Sequence, residues 1–362
     1  MAMVSAPTSN TANVLSSALN ILTRIAPVHH RHSFDISALT AQPVRPQPAT
    51  IEHLAISLVD MGLPADRTTL AVAESFARVG VPITNANISA ARATLVRVQG
   101  SSPAAIALAS AIGVPQSPGV LRSLATVVQG LPQVADISPE AAQQIAIKIS
   151  DSTSLDDLTL QVHDIVSRLS QSAESRIYRH EAIVRDPRIA LLSLSHQQTS
   201  HARGADHLAR HVEGQQVLNT AAYQVAIAAP LYFGFYAIYP GGRMVPIEAQ
   251  ILRILGDDAE EEKEDAESEE TRLTIRVTTS RLGSVEVKLA VKTNRQMRCE
   301  LRAHSDLACR LFRRFAPALG RALVTEGWDV RQISVVRVRD FNPLWFGGDS
   351  LTQPRHRMDS RV

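Results

Sequence analysis

Aromatic residues are scarce in this 362-residue chain, 15 in all, and only Phe34 and Phe76 precede Tyr178. A first half so poor in rings has to pack on Ala, Val, Leu and Ile, which favours small-residue helices over an aromatic-rich sheet. Cysteine is scarcer still. Cys299 and Cys309 form no C-x-x-C pair, so a disulfide framework and a zinc-finger spacing are both excluded, and two core thiols in a reducing compartment are expected. No Walker-type loop, G-x-G-x-x-G or G-x-S-x-G occurs. The carboxylates of the C-terminal part, Glu286, Glu300 and Asp306, stand singly among basic residues, with no second carboxylate spaced for general acid–base work. An enzyme is therefore not expected, and no cofactor is implied. The first residues (MAMVSAPTSNTANV) lack the basic start and apolar core of a secretory leader.

Two stretches test these exclusions. His196, His201, His207 and His211 cluster, and His207 and His211 share a helix face at i and i+4, but Leu208 stands where a metalloprotease needs Glu. Exposed helix histidines and no metal are the expectation. Residues 221–239 (AAYQVAIAAPLYFGFYAIY) are almost wholly apolar and near the roughly 20 residues that span a bilayer. Gln224 and Pro230 interrupt them, and the second half alternates aromatic with small residues. The stretch reads as a helix end followed by a buried strand, with no membrane insertion.

What the chain does have is punctuation. Gly-Leu-Pro at 62–64, Gly-Val-Pro at 80–82, Gly-Val-Pro at 113–115 and Gly-Leu-Pro at 130–132 each close an apolar-periodic segment. Gly ends a helix in the left-handed conformation, Pro prevents its continuation, and Asp66, Thr84 or Asn85, and Ser117 cap the next one. Helices are predicted over 51–61, 67–79, 87–98, 103–112, 118–129 and 139–149, each too short to stand alone. A Ser/Thr/Ala/Pro-rich, disordered tail with one amphipathic helix precedes them over 1–50. A helical connector over 151–228 follows, with helices at 155–170, 174–184 and about 205–226 and no clear reading for 186–203.

The last third changes period. Strands are predicted over 245–255, 271–279, 284–291, 296–303 and 330–338, with a long amphipathic helix at 306–326. The fold class is α+β: an N-terminal array of short helices, then an antiparallel or mixed sheet packed against one long helix over 229–340, and a basic disordered tail over 341–362. Net charge is +2, yet residues 257–270 (DDAEEEKEDAESEE) hold ten acidic residues, and 271–362 hold 18 Arg or Lys against 8 Asp or Glu. The acidic run is expected as a solvated insertion. Arg272, Arg276, Lys288, Arg298 and Arg302 can line one sheet face. The strands carrying them have no aromatic on which a base would stack, so an acidic protein partner, or the chain's own acidic insertion, is favoured over nucleic acid.

Arg281-Leu282-Gly283-Ser284-Val285-Glu286-Val287-Lys288-Leu289 resembles the L-G-x-V-x-V-x-L core of the C-terminal domain of flagellar hook-length control proteins. The turn at Thr293-Asn294, the strand and long helix after it, and Gly327-Trp328 leading into the last strand continue the likeness. Thr84-Asn85-Ala86-Asn87-Ile88 after a Gly-Val-Pro resembles that family's helical middle region. Thr279-Ser280-Arg281 depart from the Pro and acidic residue that commonly precede the Leu-Gly. The resemblance implies a non-enzymatic, monomeric protein, cytoplasmic and then exported through the flagellar type III apparatus. Its N-terminal part would meet hook and hook-cap subunits and gauge the hook. Its C-terminal domain would contact the cytoplasmic domain of an export-gate switch protein through Arg281, Leu282, Gly283, Val285, Val287 and Leu289. A nucleic-acid-binding adaptor using the basic sheet is the alternative. Stretched out, residues 1–228 reach at most ~750 Å at roughly 3.3 Å per residue, so gauging demands that the array unfold.

Overall fold

The computed structural model describes residues 51–150, 152–170, 186–197, 200–225, 230–254, 270–292 and 294–345. The helix expected within 1–50, the helix over 174–184, residues 257–269 of the acidic run and the tail from 346 lie outside them.

The first five helices are α1 (Ile51–Asp60), α2 (Arg67–Val79), α3 (Asn85–Arg97), α4 (Pro103–Ala111) and α5 (Pro118–Gln129). The ends of α1, α2, α4 and α5 follow the Gly-x-Pro punctuation, while α3 ends at an extended Val98. Gly62, Gly80, Gly113 and Gly130 all have φ between 70° and 84°, which only glycine adopts without strain. Asp66, Thr84, Ser102 and Ser117 each accept a hydrogen bond from the backbone N–H three residues on. Leu58, Phe76, Ile88, Ile106, Leu108, Leu121 and Leu124 are fully buried where these helices meet, with Phe76 the one ring among them.

A short helix, α6 (Pro139–Gln143), then gives way to a three-residue strand, β1 (Ala146–Lys148). The helix expected over 139–149 is thus cut short. Ala146–Lys148 pair in parallel with the strand that follows the connector, and that pairing outweighs a weak local helical preference. The connector holds α7 (Leu155–Ser170), α8 (Pro187–Ser195, within the stretch that gave no clear reading) and α9 (Ala202–Val225). The sheet continues with β2 (Leu231–Ile238), β3 (Met244–Ile254), β4 (Glu270–Thr279), β5 (Gly283–Lys292) and β6 (Gln296–Ala303). The last elements are α10 (Asp306–Thr325) and β7 (Asp329–Arg337). The described parts of the apolar stretch at 221–239 include the end of α9, to Val225, and β2, from Leu231, and among the described residues no helix is long and apolar enough to cross a membrane.

All seven strands form one mixed sheet in sequence order, antiparallel from β2 to β6 and parallel at both ends. Leu273, Leu289, Cys299 and Leu301 alternate onto the face that α10 covers, and they share one core with Leu158, Ile165, Leu191, Leu208 and Val212 of the connector. Connector and sheet are therefore one packing unit, and its core begins at Ile137, ahead of β1 and upstream of the boundary expected near 229. Cys299 and Cys309 are both buried and free. Burial pushes the Cys299 thiol up to about 12, so it stays a packing group. Residues 341–345, expected within the disordered tail, instead cross the other face of the sheet, and Leu344 and Trp345 bury themselves in the core of the helical array.

The outer edge of β2 is closed by a helix. On α9, Gln215 exchanges two hydrogen bonds with Gly234 (N to Oε1 2.7 Å, Nε2 to O 3.2 Å). One turn on, Asn219 does the same with Tyr232 (N to Oδ1 2.8 Å, Nδ2 to O 2.9 Å). Four residues of helix rise roughly 6 Å and two residues of strand roughly 6.6 Å, so two amides at i and i+4 match two strand residues at i and i+2. Each amide supplies the donor and acceptor that a neighbouring strand would offer.

Candidate functional site

The β4–β5 turn carries part of the expected contact surface. Arg281 and Gly283 are exposed, and Gly283 has φ +71°, which keeps the turn tight. Leu282 is half-buried against Ala303, Ala308 and Cys309, and its carbonyl accepts from Ser305 Oγ at 3.4 Å. Ser305 is also the N-cap of α10, accepting from Ala308 N at 3.1 Å, so the turn is tied to the start of the long helix. Val285, Val287 and Leu289 lie on the face under α10, because a strand alternates with period two. They support the turn from inside and do not form a surface with it.

The opposite face holds the charged residues. Arg272, Arg276, Lys288, Arg298 and Arg302 do share it, but the register interleaves them with carboxylates. Glu248, Arg276, Glu286 and Arg302 stand side by side on four consecutive strands. Glu286 is 1% exposed and is gripped by Arg276 Nη2 at 2.6 Å and Arg302 Nη1 at 2.8 Å. Glu248 accepts from the Tyr232 hydroxyl at 2.7 Å, Arg302 pairs with Glu300 at 3.2 Å, and Glu270 pairs with both Arg272 and Arg298. A buried carboxylate held by two guanidiniums is stable only while both remain, since an unpaired buried charge costs several kcal/mol, about 3 to 5. Opposite charges across adjacent strands neutralise the face, so it lacks the net positive field that binds phosphates.

Residues 341–345 cross this face as a strap. The Phe341 ring lies 5.1 Å from the Arg276 guanidinium carbon, Arg276 donates to the Asn342 carbonyl, and Gln250 donates to the Leu344 carbonyl. Beside the strap a concavity of about 320 Å³ is lined by polar and charged side chains, among them Thr274, Lys288, Arg298, Glu300 and Ser334. Its carboxylates and cations are already engaged with one another.

The histidine cluster disperses. His196 is exposed, His207 Nε2 lies 3.4 Å from the Gly130 carbonyl, and His211 is fully buried, which corrects the expectation of exposed helix histidines. The reason is the position of α9, wedged between α5 and β2. A Cβ at Gly214 would collide with the Ser123 carbonyl, and a Cβ at Gly234 would come within 2.8 Å of His211 Nε2. His211 Nδ1 donates to the Thr126 carbonyl at 3.2 Å, while Nε2 finds no hydrogen-bond partner among the described residues. Burial, reinforced by nearby His207, pushes its pKa down to about 4. No group of three or more His, Cys, Asp or Glu among the described residues could hold a metal ion.

No protein-family model, curated protein or solved structure matches this chain.

The sheet's uncompensated charge lies elsewhere, on α10. Its outer face carries Arg310, Arg313, Arg314 and Arg321, all exposed, with no Asp or Glu from Leu307 to Thr325. Sequence reasoning placed the basic residues on the sheet and read α10 only for its apolar side. The missed signal was the arginines at helical spacing on its other side.

Proposed function

We propose that this chain is a hook-length control protein of the flagellum. On this reading it is an exported, non-enzymatic regulator whose N-terminal part gauges the growing hook and whose C-terminal unit switches type III export specificity. The observation that carries the reading is the order of elements around the Leu-Gly turn. β4, the turn at Arg281–Gly283, β5, β6, α10, Gly327-Trp328 and β7 follow one another as the resemblance implies, with the turn fastened to the start of α10. An export-gate partner would meet Arg281 and Gly283 at the surface, with Leu282, Val285, Val287 and Leu289 holding the turn in place from the core. The helical array suits an exported chain in one respect. It folds on small apolar contacts and single-residue caps, each cap contributing about 1 kcal/mol, with no disulfide to hold it against unfolding. The neutralised sheet face weakens the nucleic-acid alternative.

The test is the hook-length distribution of a strain lacking the chain, measured by electron microscopy of purified hooks. Abnormally long hooks without filaments are expected. Normal hooks that carry filaments would sink the reading.

A further inference from the structure

The two edges of the sheet are treated differently. The β2 edge is closed by β1 and by the amides of Gln215 and Asn219, whereas β7 pairs on one side only, with β6, among the described residues. The strand is nine residues long, DVRQISVVR, with four β-branched residues and no Pro or Lys. Its Arg331 and Arg337 are occupied by Asp329 at 2.8 Å and Asp306 at 2.9 Å. Exposed edges are normally blunted by proline, lysine, a bulge or a covering element, because their free N–H and C=O groups pair with any extended chain. β7 has one such interruption, at Arg331, where its register with β6 shifts by a residue, and from Gln332 to Arg337 it runs regularly. Beside this edge runs an open groove of about 460 Å³ between β7 and α10, floored by Ala316, Gly320, Ile333 and Val335 and flanked by Arg313 and Pro317. The glycine lets helix and strand approach, since a Cβ at Gly320 would meet Ile333 Cδ1 at 3.2 Å.

We propose that the open edge of β7 and the groove beside it bind an extended, acidic segment of a partner protein, which joins the sheet as an eighth strand. The inference stands on the edge, the groove and the helix charges, and does not depend on the hook-length reading. Three features select the occupant. The edge requires a peptide backbone in extended form. The groove accepts apolar side chains, and alternate residues of an added strand would reach it every ~6.6 Å. The arginines at 310, 313, 314 and 321 have no carboxylate partner among the described residues and call for acidic residues along the same segment. A nucleic acid would answer the charge alone, with neither a backbone for the edge nor side chains for the groove. The chain's own acidic run holds no apolar residue larger than Ala259 and Ala266, so it does not fit the groove.

Fluorescence anisotropy of the full chain with labelled nine-residue peptides tests this. The probes are a peptide with Val at alternate central positions, Ser between them and two Glu at each end (the Glu–Val peptide), the same peptide with Lys for Glu (the Lys–Val peptide), and the Glu–Val peptide with two central residues replaced by Pro. The Glu–Val peptide should bind. Affinity should fall by about tenfold or more for the Lys–Val and Pro-containing peptides, and by about tenfold for the chain carrying Arg313→Glu, Arg314→Glu and Arg321→Glu together. These three positions are exposed, so circular dichroism of the triple variant should match wild type. Amides of 329–337 should gain protection from hydrogen exchange when the Glu–Val peptide is bound. Four results would overturn the proposal: no binding of the Glu–Val peptide, equal binding of the Pro-containing peptide, tighter binding of a single-stranded oligonucleotide, or a rise in peptide affinity of about fivefold or more on deleting residues 257–268, which would mean that the chain fills its own groove.

Discussion

At the β2 edge the strand's free backbone groups are buried, and two side-chain amides from α9 satisfy them. At β7 the strand ends the sheet in the open, with half-buried valines and an isoleucine and no second partner. The difference follows from what covers each edge. An edge that a helix buries must have every N–H and C=O satisfied, because each unsatisfied group costs about 1 to 3 kcal/mol. An edge that faces water can leave them to water, and is then free to exchange water for a peptide. One edge is held by the fold, and the other is open to addition.

The largest effect should come from undoing the closed edge. Asn219 is fully buried and Tyr232 is 1% exposed. Asn219→Leu keeps roughly the same volume but leaves the Tyr232 N–H and C=O without partners in a site that water does not reach. A loss of about 4 kcal/mol is expected, read as a shift in the urea unfolding midpoint at unchanged slope. A loss under about 1 kcal/mol would mean that the amide clamp is not what closes this edge.

How much of this was legible in the sequence depends on range. Alternation along Leu273, Ile275 and Val277 and along Val285, Val287 and Leu289 placed β4 and β5 to within a residue, because period-two patterning is a local property of one buried face. Gly-x-Pro and the Ser, Thr and Asp caps placed the first five helices to within two residues, the largest miss being the start of α3 at Asn85. What escaped was set by partners far along the chain. β1 has only three residues and owes its strand form to Tyr236, Ala237 and Ile238. Gln215 and Asn219 look like ordinary polar helix residues until β2 lies beside them. Glu286 was read as a lone carboxylate, and only the register sets it between Arg276 and Arg302. Of the contact surface, Arg281 and Gly283 sit at the turn where the resemblance puts them, while the valines and Leu289 are covered by α10.

A second test uses the histidine that α9 carries against the closed edge. The buried His211 ring titrates near 4 in the folded chain and at its ordinary 6.5 when unfolded. Because the folded value is the lower one, the unfolded chain takes up the proton first. Stability is therefore full above about pH 7 and falls as the pH drops from 6.5 toward 4, by about 3 kcal/mol in total. His211→Asn retains a donor for the Thr126 carbonyl and removes the titration. Urea midpoints at pH 7.5 and 4.5 should differ much less in the variant than in wild type. An equal drop in both proteins would show that other groups carry the acid sensitivity and that the ring below β2 is not under strain from protonation.

The smallest effect belongs to the open edge, and its smallness is the point. Gln332 on β7 is exposed, and replacing it by Lys adds the residue that sheets commonly use to discourage strand addition. With no buried group disturbed, the unfolding free energy should change by less than about 0.5 kcal/mol. The comparison with Asn219→Leu then sets two substitutions on opposite edges of one sheet nearly tenfold apart in cost. A loss above about 1.5 kcal/mol at Gln332 would mean that β7 is already covered in the folded chain, in which case both edges are closed and the asymmetry that singles out β7 as a docking strand disappears.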